Sequence, residues 1–590
     1  MGIGGEFSMY ITITGSASNK DVYIVQSYRK EDGKTSSRIY KKLGKYNDLL
    51  ERFGGDEKRM MTWARNEAKA ETEEYNRKSG IISVSFSQSA LISKDEERSF
   101  NVGYLFLQRI CAGLRLDKIC RKIRSRYKFA YDINAILSDL VYARILSPSS
   151  KLSSYAYCSK LLEPPKYALQ DVYRALSVLA RESDLIQEEL YCNSNFVAPR
   201  NGSVLYYDCT NYYFEIEDED GIRRYGKSKE HRPNPIVTMG LFMDTDGLPL
   251  AFDIFPGNQN EQATLKPLET RIIRDFGCSK FIFCSDAGLG SRSNRFFNSF
   301  ADRSYIITQS LKKLKQEDRE CAMNPKQFKV LGSERFVDLT TLDETDEAVF
   351  SSIFYKEMPL ITGKMDETLI VTYSPKYAAY QRNIRNRQLE RAERMITEGA
   401  MHRKSRNPND PGRFIRKQSV TNEGELAEKC IYSLDEERIS QEAQYDGFYA
   451  VVTNLDADIG EIIRINRQRW EIEESFRIMK TEFEARPVYV RREDRIRAHF
   501  LICYISLLVY RLLEKQLGNR YTCEQILTTL REMQMTRLST GSGYVPSYRR
   551  TDLTDRLHEI AGFRTDYEFI TKANMRGIVK SSKEEQEAQK

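Results

Sequence analysis

Asp208, Asp286 and Glu473 are the residues of this 590-residue chain on which hydrolytic chemistry could turn. Asp208 follows the apolar run GSVLYY, Asp286 follows SKFIFCS, and Glu473 stands within NRQRWEIEESFRIMK, residues 466–480. A single Asp after an apolar run is most often a turn or cap residue. Three carboxylates brought together are another matter. Hard divalent cations such as Mg²⁺ take oxygen ligands and keep positions open for water and phosphate. Two such ions about 4 Å apart activate an attacking oxygen and stabilise a leaving one in an in-line displacement. Around Glu473, at spacings of four and seven, lie Asn466, Arg469, Arg477 and Lys480. That edge reads either as a solvated face with i,i+4 pairs Arg469–Glu473 and Glu473–Arg477, or as a metal ligand flanked by groups that grip phosphate.

Other chemistries find no support. The eleven cysteines are scattered without a C-x-x-C pair, which suits reduced cytosolic thiols. Four histidines occur, with no H-E-x-x-H and no Cys/His spacing for zinc. There is no Walker A lysine loop and no G-x-G-x-x-G, so no nucleotide cofactor is expected. FLICYISLLVYRLL, residues 500–513, is shorter than a membrane span and predicts a buried helix. The net charge of +7 is only mildly basic, but cations cluster in 120–128, 402–417 and 486–497. The second cluster holds Arg403, Lys404 and Arg406. Such patches suit a polyanion such as DNA, and solvated loops would look similar.

The elements that must position the carboxylates can be read from periodicity. Residues 1–8, MGIGGEFS, read as a cloning scar ahead of a natural start at Met9. Residues 9–100 predict a β-hairpin over 22–44 turning at Asp32-Gly33, then a charged helix over 56–78. Residues 101–198 are mainly helical, and both regions are candidates for DNA binding. From 199 to 311 the order is strand, hairpin, helix, strand, helix, strand, with Asp208 and Asp286 ending two strands that this topology makes neighbours. This is the order of a ribonuclease-H-like mixed sheet. Residues 312–455 interrupt it as a β-rich insertion domain that also holds a charged helix over 377–398. Residues 456–515 return to the core with one helix starting near Ile459. Its stripe of Ile465, Ile472, Phe476, Met479 and Phe483 should dock it on the sheet. Residues 516–590 form a C-terminal region suited to dimerisation.

In combination these motifs resemble a known family, the bacterial insertion-sequence DDE transposases with a β-rich insertion domain and a Tyr-Arg-Glu-Lys signature. The signature Y-x2-R-x3-E-x6-K fits at Arg469, Glu473 and Lys480. YYDCTNYYFE resembles the family's first-Asp block and CSDAGLGSRSN its second. DGFYAVVTN and RQRWEIEESFRIMKTEFEARPV resemble its closing block, so that the likeness covers roughly 200–510. One departure is plain: Asn466 stands where the signature has Tyr.

The resemblance implies an α/β fold, with a ribonuclease-H-like mixed-sheet core interrupted by the β-rich insertion and preceded by a mainly helical DNA-binding region. It implies Asp208, Asp286 and Glu473 as catalytic metal ligands for Mg²⁺, with Mn²⁺ as a substitute. It also implies that Arg469 and Lys480 contact the DNA backbone near the scissile phosphate. Asn466 and Arg477 are candidates for the same surface, as are Arg403, Lys404 and Arg406 in the insertion. Several members close a hairpin on the cut end, which leaves a base to be stacked on an aromatic ring. Trp470 and Tyr449 match those rings by register, against the plainer readings of a core-edge Trp and a packed strand Tyr. The expected partners are double-stranded DNA, both terminal inverted repeats and target, and a second copy of the chain in a paired-end complex. The expected location is the bacterial cytoplasm, at the nucleoid. Two other functions fit the same residues: a transposase-derived DNA-binding protein without catalysis, and a nuclease of this fold without strand transfer.

Overall fold

In the computed structural model, which describes residues 9–16, 19–29, 35–79, 84, 86–362, 365–399, 409–420, 429–538 and 543–585, the apolar runs after residue 199 build the centre of one large sheet. Its first five strands are β1 (Val204–Tyr213), β2 (Ile236–Asp244), β3 (Pro249–Pro256), β4 (Ile282–Ser285) and β5 (Ser304–Thr308). They lie in the order β3-β2-β1-β4-β5. β2 is antiparallel to β1 and β3, whereas β1, β4 and β5 run parallel. The succession along the chain, strand, hairpin, helix, strand, helix, strand, is the one predicted from the sequence, and β1 and β4 are neighbours as expected.

Alternation along β1 divides its side chains between two cores, as a period of two requires. Leu205, Tyr207 and Cys209 join Leu265, Leu268 and Ile272 of the helix Leu265–Asp275. Tyr206 and Tyr212 join the other core, built mostly of helices. Covering on both faces leaves β1 and β2 almost wholly buried and β2 mostly apolar.

Five more strands extend the sheet: β6 (Phe328–Val330), β7 (Phe336–Val337), β8 (Phe354–Thr362), β9 (Met365–Tyr373) and β10 (Phe448–Thr453). The full order is β7-β6-β8-β9-β10-β5-β4-β1-β2-β3. The strands of 312–455 therefore continue the catalytic sheet, and β10, with Tyr449, lies between β9 and β5 rather than in a separate insertion sheet. Between β9 and β10 run helix α1 (Pro375–Thr397) and a small hairpin of Ile415–Val420 with Lys429–Leu434.

After β10 come α2 (Ile459–Gln468) and α3 (Trp470–Thr481). The single helix predicted here is interrupted at Arg469, whose ψ of −21° and N–H bond back to Asn466 O at 3.4 Å form a 3₁₀-type turn. Asp458 caps α2 by accepting from Glu461 N. The stripe Ile465, Ile472, Phe476, Met479 and Phe483 is buried throughout. Next, α4 (Glu493–Gln516) packs on the helices Leu169–Arg181 and Ile133–Leu146. It is long and apolar enough to cross a membrane, yet 94% of its apolar window is buried inside the fold, so it serves as the core helix.

The chain forms two compact units, Met1–Glu96 with Leu538–Gly543, and Glu97–Arg537 with Tyr544–Lys590. In the first, Asn19–Arg29 and Thr35–Lys45 pair as the predicted hairpin, and the helix Glu57–Ser79 is present. A third strand, Met9–Ser16, was not anticipated from the sequence. The hairpin's turn at Asp32-Gly33 lies outside the described residues.

Candidate active site

Register brings the two aspartates level. β1 pairs with β4 through Val204↔Ile282, Leu205↔Phe283 and Tyr206↔Cys284. Continued by two residues, that offset sets Asp208 beside Asp286, on adjacent strands of a sheet whose spacing is about 4.8 Å. Asp286 does end its strand, but Asp208 does not: β1 runs five residues further, to Tyr213. The polar letters of DCTN suggested an end, yet Cys209, Thr210 and Asn211 are all buried and paired with β2.

Asp208 shares its face of β1 with Tyr206 and Tyr212, and these two tyrosines locate the helices above it. Tyr206 Oη donates to Ile465 O at 3.1 Å and lies 3.1 Å from Gln468 Oε1, at the end of α2. Tyr212 Oη reaches Met479 Sδ at 3.9 Å, and Lys480 lies over its ring. Asp208 sits between the tyrosines, nearer Tyr206, and so level with the first turns of α3, where Glu473 stands. Two strands and one helix thus bring the three expected carboxylates to one side of the sheet.

Arg469, at the break between α2 and α3, faces this group. Burial works against its charge, while Tyr449, Asp286 and Glu473 favour it and hold its pKa above the usual value. Its charge is felt at Asp208 as well. Asp208 is pushed up to about 6, chiefly by burial, with Asp286 adding to the rise while Lys229 and Arg469 oppose it. Asp286 Oδ1 accepts from Gly288 N at 3.0 Å and Leu289 N at 3.2 Å. A Cβ at position 288 would crowd Asp286 Oδ1 at 3.2 Å, so the glycine leaves that carboxylate its place. Glu473 is exposed and, among the described residues, holds no hydrogen bond or ion pair. The anticipated Glu473–Arg477 pair is replaced by Arg477–Glu474, with bonds of 2.8 and 2.6 Å.

The donor set is all oxygen, and a half-buried carboxylate reluctant to ionise beside a second one gains from a divalent cation, so the residues fit Mg²⁺ by chemistry. The three carboxylates are not drawn into one tight cluster. Among the described residues, the group whose ligand atoms all lie within 4.8 Å of one another is Asp555, His558 and Asp566. There Arg564 bonds both aspartates and His558 Nε2 accepts from Thr565 N, which makes it an arginine–carboxylate network.

Sequence patterns missed Lys229. It lies in the loop between β1 and β2, donates Nζ to Cys209 O and pairs with Glu261 at 3.5 Å. Burial disfavours its charge, but Asp208, Glu261 and Asp286 together hold its pKa above the usual value. A loop lysine has no periodicity to mark it. Its neighbour Glu230 binds Lys480 at 3.3 Å and Arg486 at 3.1 Å. Lys480, expected on DNA, is therefore engaged within the chain, and burial lowers its pKa.

Asn466 Nδ2 donates to Tyr449 Oη at 3.1 Å, and that oxygen lies 2.6 Å from Thr308 Oγ1. The amide positions Tyr449 instead of pointing outward. Trp470, 58% exposed, opens α3. Trp470, Tyr449, Asn466, Arg469 and Glu473 all line one cavity of about 390 Å³. Arg403, Lys404 and Arg406 lie outside the described residues.

The family model for the transposase DDE domain matches residues 209–509, a span of just over half the chain that contains Asp286 and Glu473 and begins one residue after Asp208. No curated protein matches the sequence. Among solved structures, a cryo-EM structure of the piggyBac transposase synaptic complex with hairpin DNA aligns at 9% identity, covering 73% of this chain and 78% of that one. Its TM-score of 0.35 is too low to bear on the fold. By the family match, the chain belongs to the transposases with a DDE domain.

Proposed function

We propose that this chain is an insertion-sequence transposase of the Tyr-Arg-Glu-Lys group. It binds the terminal inverted repeats of its element, cuts DNA at those ends and joins the freed 3′ ends to target DNA. The observation that carries this reading is the levelling of Asp208 and Asp286 on adjacent parallel strands, under the helix that bears Glu473. These three would hold Mg²⁺, or Mn²⁺ in its place, which when bound activates an attacking oxygen and stabilises the leaving one.

The chain's own side chains do the rest. Arg469 presents a guanidinium among the carboxylates and grips the scissile phosphate by paired N–H donors. Lys229 offsets the charge of Asp208 and Glu261. The cavity beside Glu473 receives the base that hairpin closure leaves unstacked, with Trp470 and Tyr449 as its rings. Two copies act on paired ends, each cutting the end held by the other, at the bacterial nucleoid.

Incubating the protein with a labelled element-end fragment and Mg²⁺, then resolving products on a denaturing gel, tests this reading. Nicks at the end followed by strand-transfer products support it. Binding without cutting would leave a DNA-binding protein, and cutting without transfer a nuclease.

A further inference from the structure

The cavity beside Glu473 does not end at Tyr449. A second cavity, of about 460 Å³, adjoins it, and Tyr377 and Tyr449 line both. Both volumes fall within the range of sites that bury a small organic group. The second is walled by α1, whose sequence reads simply as a charged helix. Its cavity-lining residues include Tyr377, Tyr380 and Ile384, at helical spacings of three and four, and they are 40%, 61% and 39% exposed. The two tyrosine rings lie within 20° of parallel, with centroids 6.3 Å apart. Large aromatic side chains aligned and left in water are costly unless something covers them.

Charge indicates what covers them. Arg385 is bound to Asp446 and Arg413 to Glu442, so the cavity's cations are largely spent on its own acids. Lys312 lies over the ring of Tyr445, 4.9 Å away. A duplex presents phosphates and calls for free cations. A row of exposed rings suits the flat faces of unpaired bases, which stack on aromatic residues whatever their sequence, whereas the bases of a duplex already stack on one another. From Tyr377 to Ile384 the helix rises about 10 Å, and stacked nucleotides follow one another at about 3.4 Å, so the stripe has room for roughly three.

We propose that the Tyr377–Tyr380–Ile384 face of α1 is a track for about three unpaired nucleotides, continuous with the cavity beside Glu473. It rests on the reading of the chain as a DNA-cutting transposase. It adds a binding site for the single strand that leaves the duplex at the cut. The track accounts for the exposed tyrosines and for the shared wall of the two cavities.

Fluorescence anisotropy in EDTA tests it, with a blunt duplex and the same duplex carrying a three-thymidine extension, in both polarities. Stacking supplies about 1–3 kcal/mol per base, so the wild-type protein should bind one extended form at least tenfold more tightly than the blunt one. Tyr380→Ala should erase that preference and leave blunt-duplex affinity unchanged, while Tyr380→Phe should keep it. Tyr380 lines the second cavity without lining the one beside Glu473 and is exposed, so circular dichroism should show the variant folded. Equal affinity of the wild type for blunt and extended duplexes would overturn the track without touching the transposase reading. Failure to bind either duplex would take down both. If Tyr380→Ala instead shifts the oligomeric state in sedimentation and keeps the preference, the face is a protein contact and the track is wrong.

Discussion

Asp208, Asp286 and Glu473 differ in environment, and that difference shapes what each substitution does. Asp208 is half-buried beside Lys229 and Arg469, Asp286 is fixed by two backbone N–H groups, and Glu473 is exposed and unbonded among the described residues. Asp208→Asn, Asp286→Asn and Glu473→Gln should each abolish Mg²⁺-dependent cleavage, because an amide keeps the shape but loses the charge. DNA binding in a gel-shift assay should stay within about twofold of wild type, and substantial cutting by any one variant would remove that residue from the site. Arg469→Ala should slow cutting and lower the salt dependence of binding by about one phosphate contact. An unchanged salt slope would leave Arg469 as a counter-ion for the carboxylates alone. Trp470 should act later. If its ring stacks on an unstacked base only during hairpin closure, Trp470→Ala loses roughly ten- to a hundredfold in that step. Nicked ends should then accumulate on the gel while hairpins fade; parallel loss of both products would assign Trp470 to binding.

At the scale of elements, legibility followed the range of the interaction that decided each feature. The succession of strands along the chain was readable because β2, β4 and the start of β1 are apolar runs and turn signals such as Asp246-Gly247 separate them. The buried stripe from Ile465 to Phe483 was readable from its period. The continuation of β1 past Asp208 was not, since its polar residues are satisfied by β2 and the loop to Lys229, which are remote in sequence. Nor was the break at Arg469, where no Gly or Pro marks the chain. Lys229 and the joining of β10 to β5 are long-range facts with no local signal. The helix Leu265–Asp275 hides another. Glu269 is fully buried, bonded by Asn298 Nδ2 at 3.2 Å, and burial pushes its pKa up to about 7. A carboxyl raised in the fold contributes stability below its unfolded pKa, and that contribution is lost as pH rises through about 7. Glu269→Gln, a fixed neutral mimic, should therefore match the parent near pH 5 and melt higher by a few degrees at pH 8. Equal melting temperatures across that range would show that Glu269 stays ionised or relaxes into water.

At the scale of the whole molecule, the two compact units have separate cores. That of Met1–Glu96 rests on small clusters, Met9, Ile24 and Ala68 on one side and Val22, Leu49 and Met60 on the other. The larger unit holds the whole sheet, α4 and all three carboxylates. Such a division predicts that the parts separate in function as well as in folding. The basic strand Thr35–Lys45 carries Arg38, Lys41, Lys42 and Lys45 without an acid, which suits the smaller unit to DNA rather than to catalysis. Of these, Lys41 is paired with Glu71 and Lys42 with Asp21, so their contribution is partly offset within the unit. A chain beginning at Glu97 should melt within a few degrees of the full protein, because none of the large core is removed. It should still nick DNA with Mg²⁺ at high protein concentration, since Asp208, Asp286, Glu473 and Arg469 are untouched. Its affinity should fall, with a shallower dependence on salt, and its preference for the element's own end over an unrelated fragment should shrink. Competition anisotropy at two salt concentrations, alongside a thermal melt, measures all three. If the shortened chain keeps its full preference for the element end, then end recognition resides in the larger unit, and the 120–128 and 486–497 clusters become its candidates.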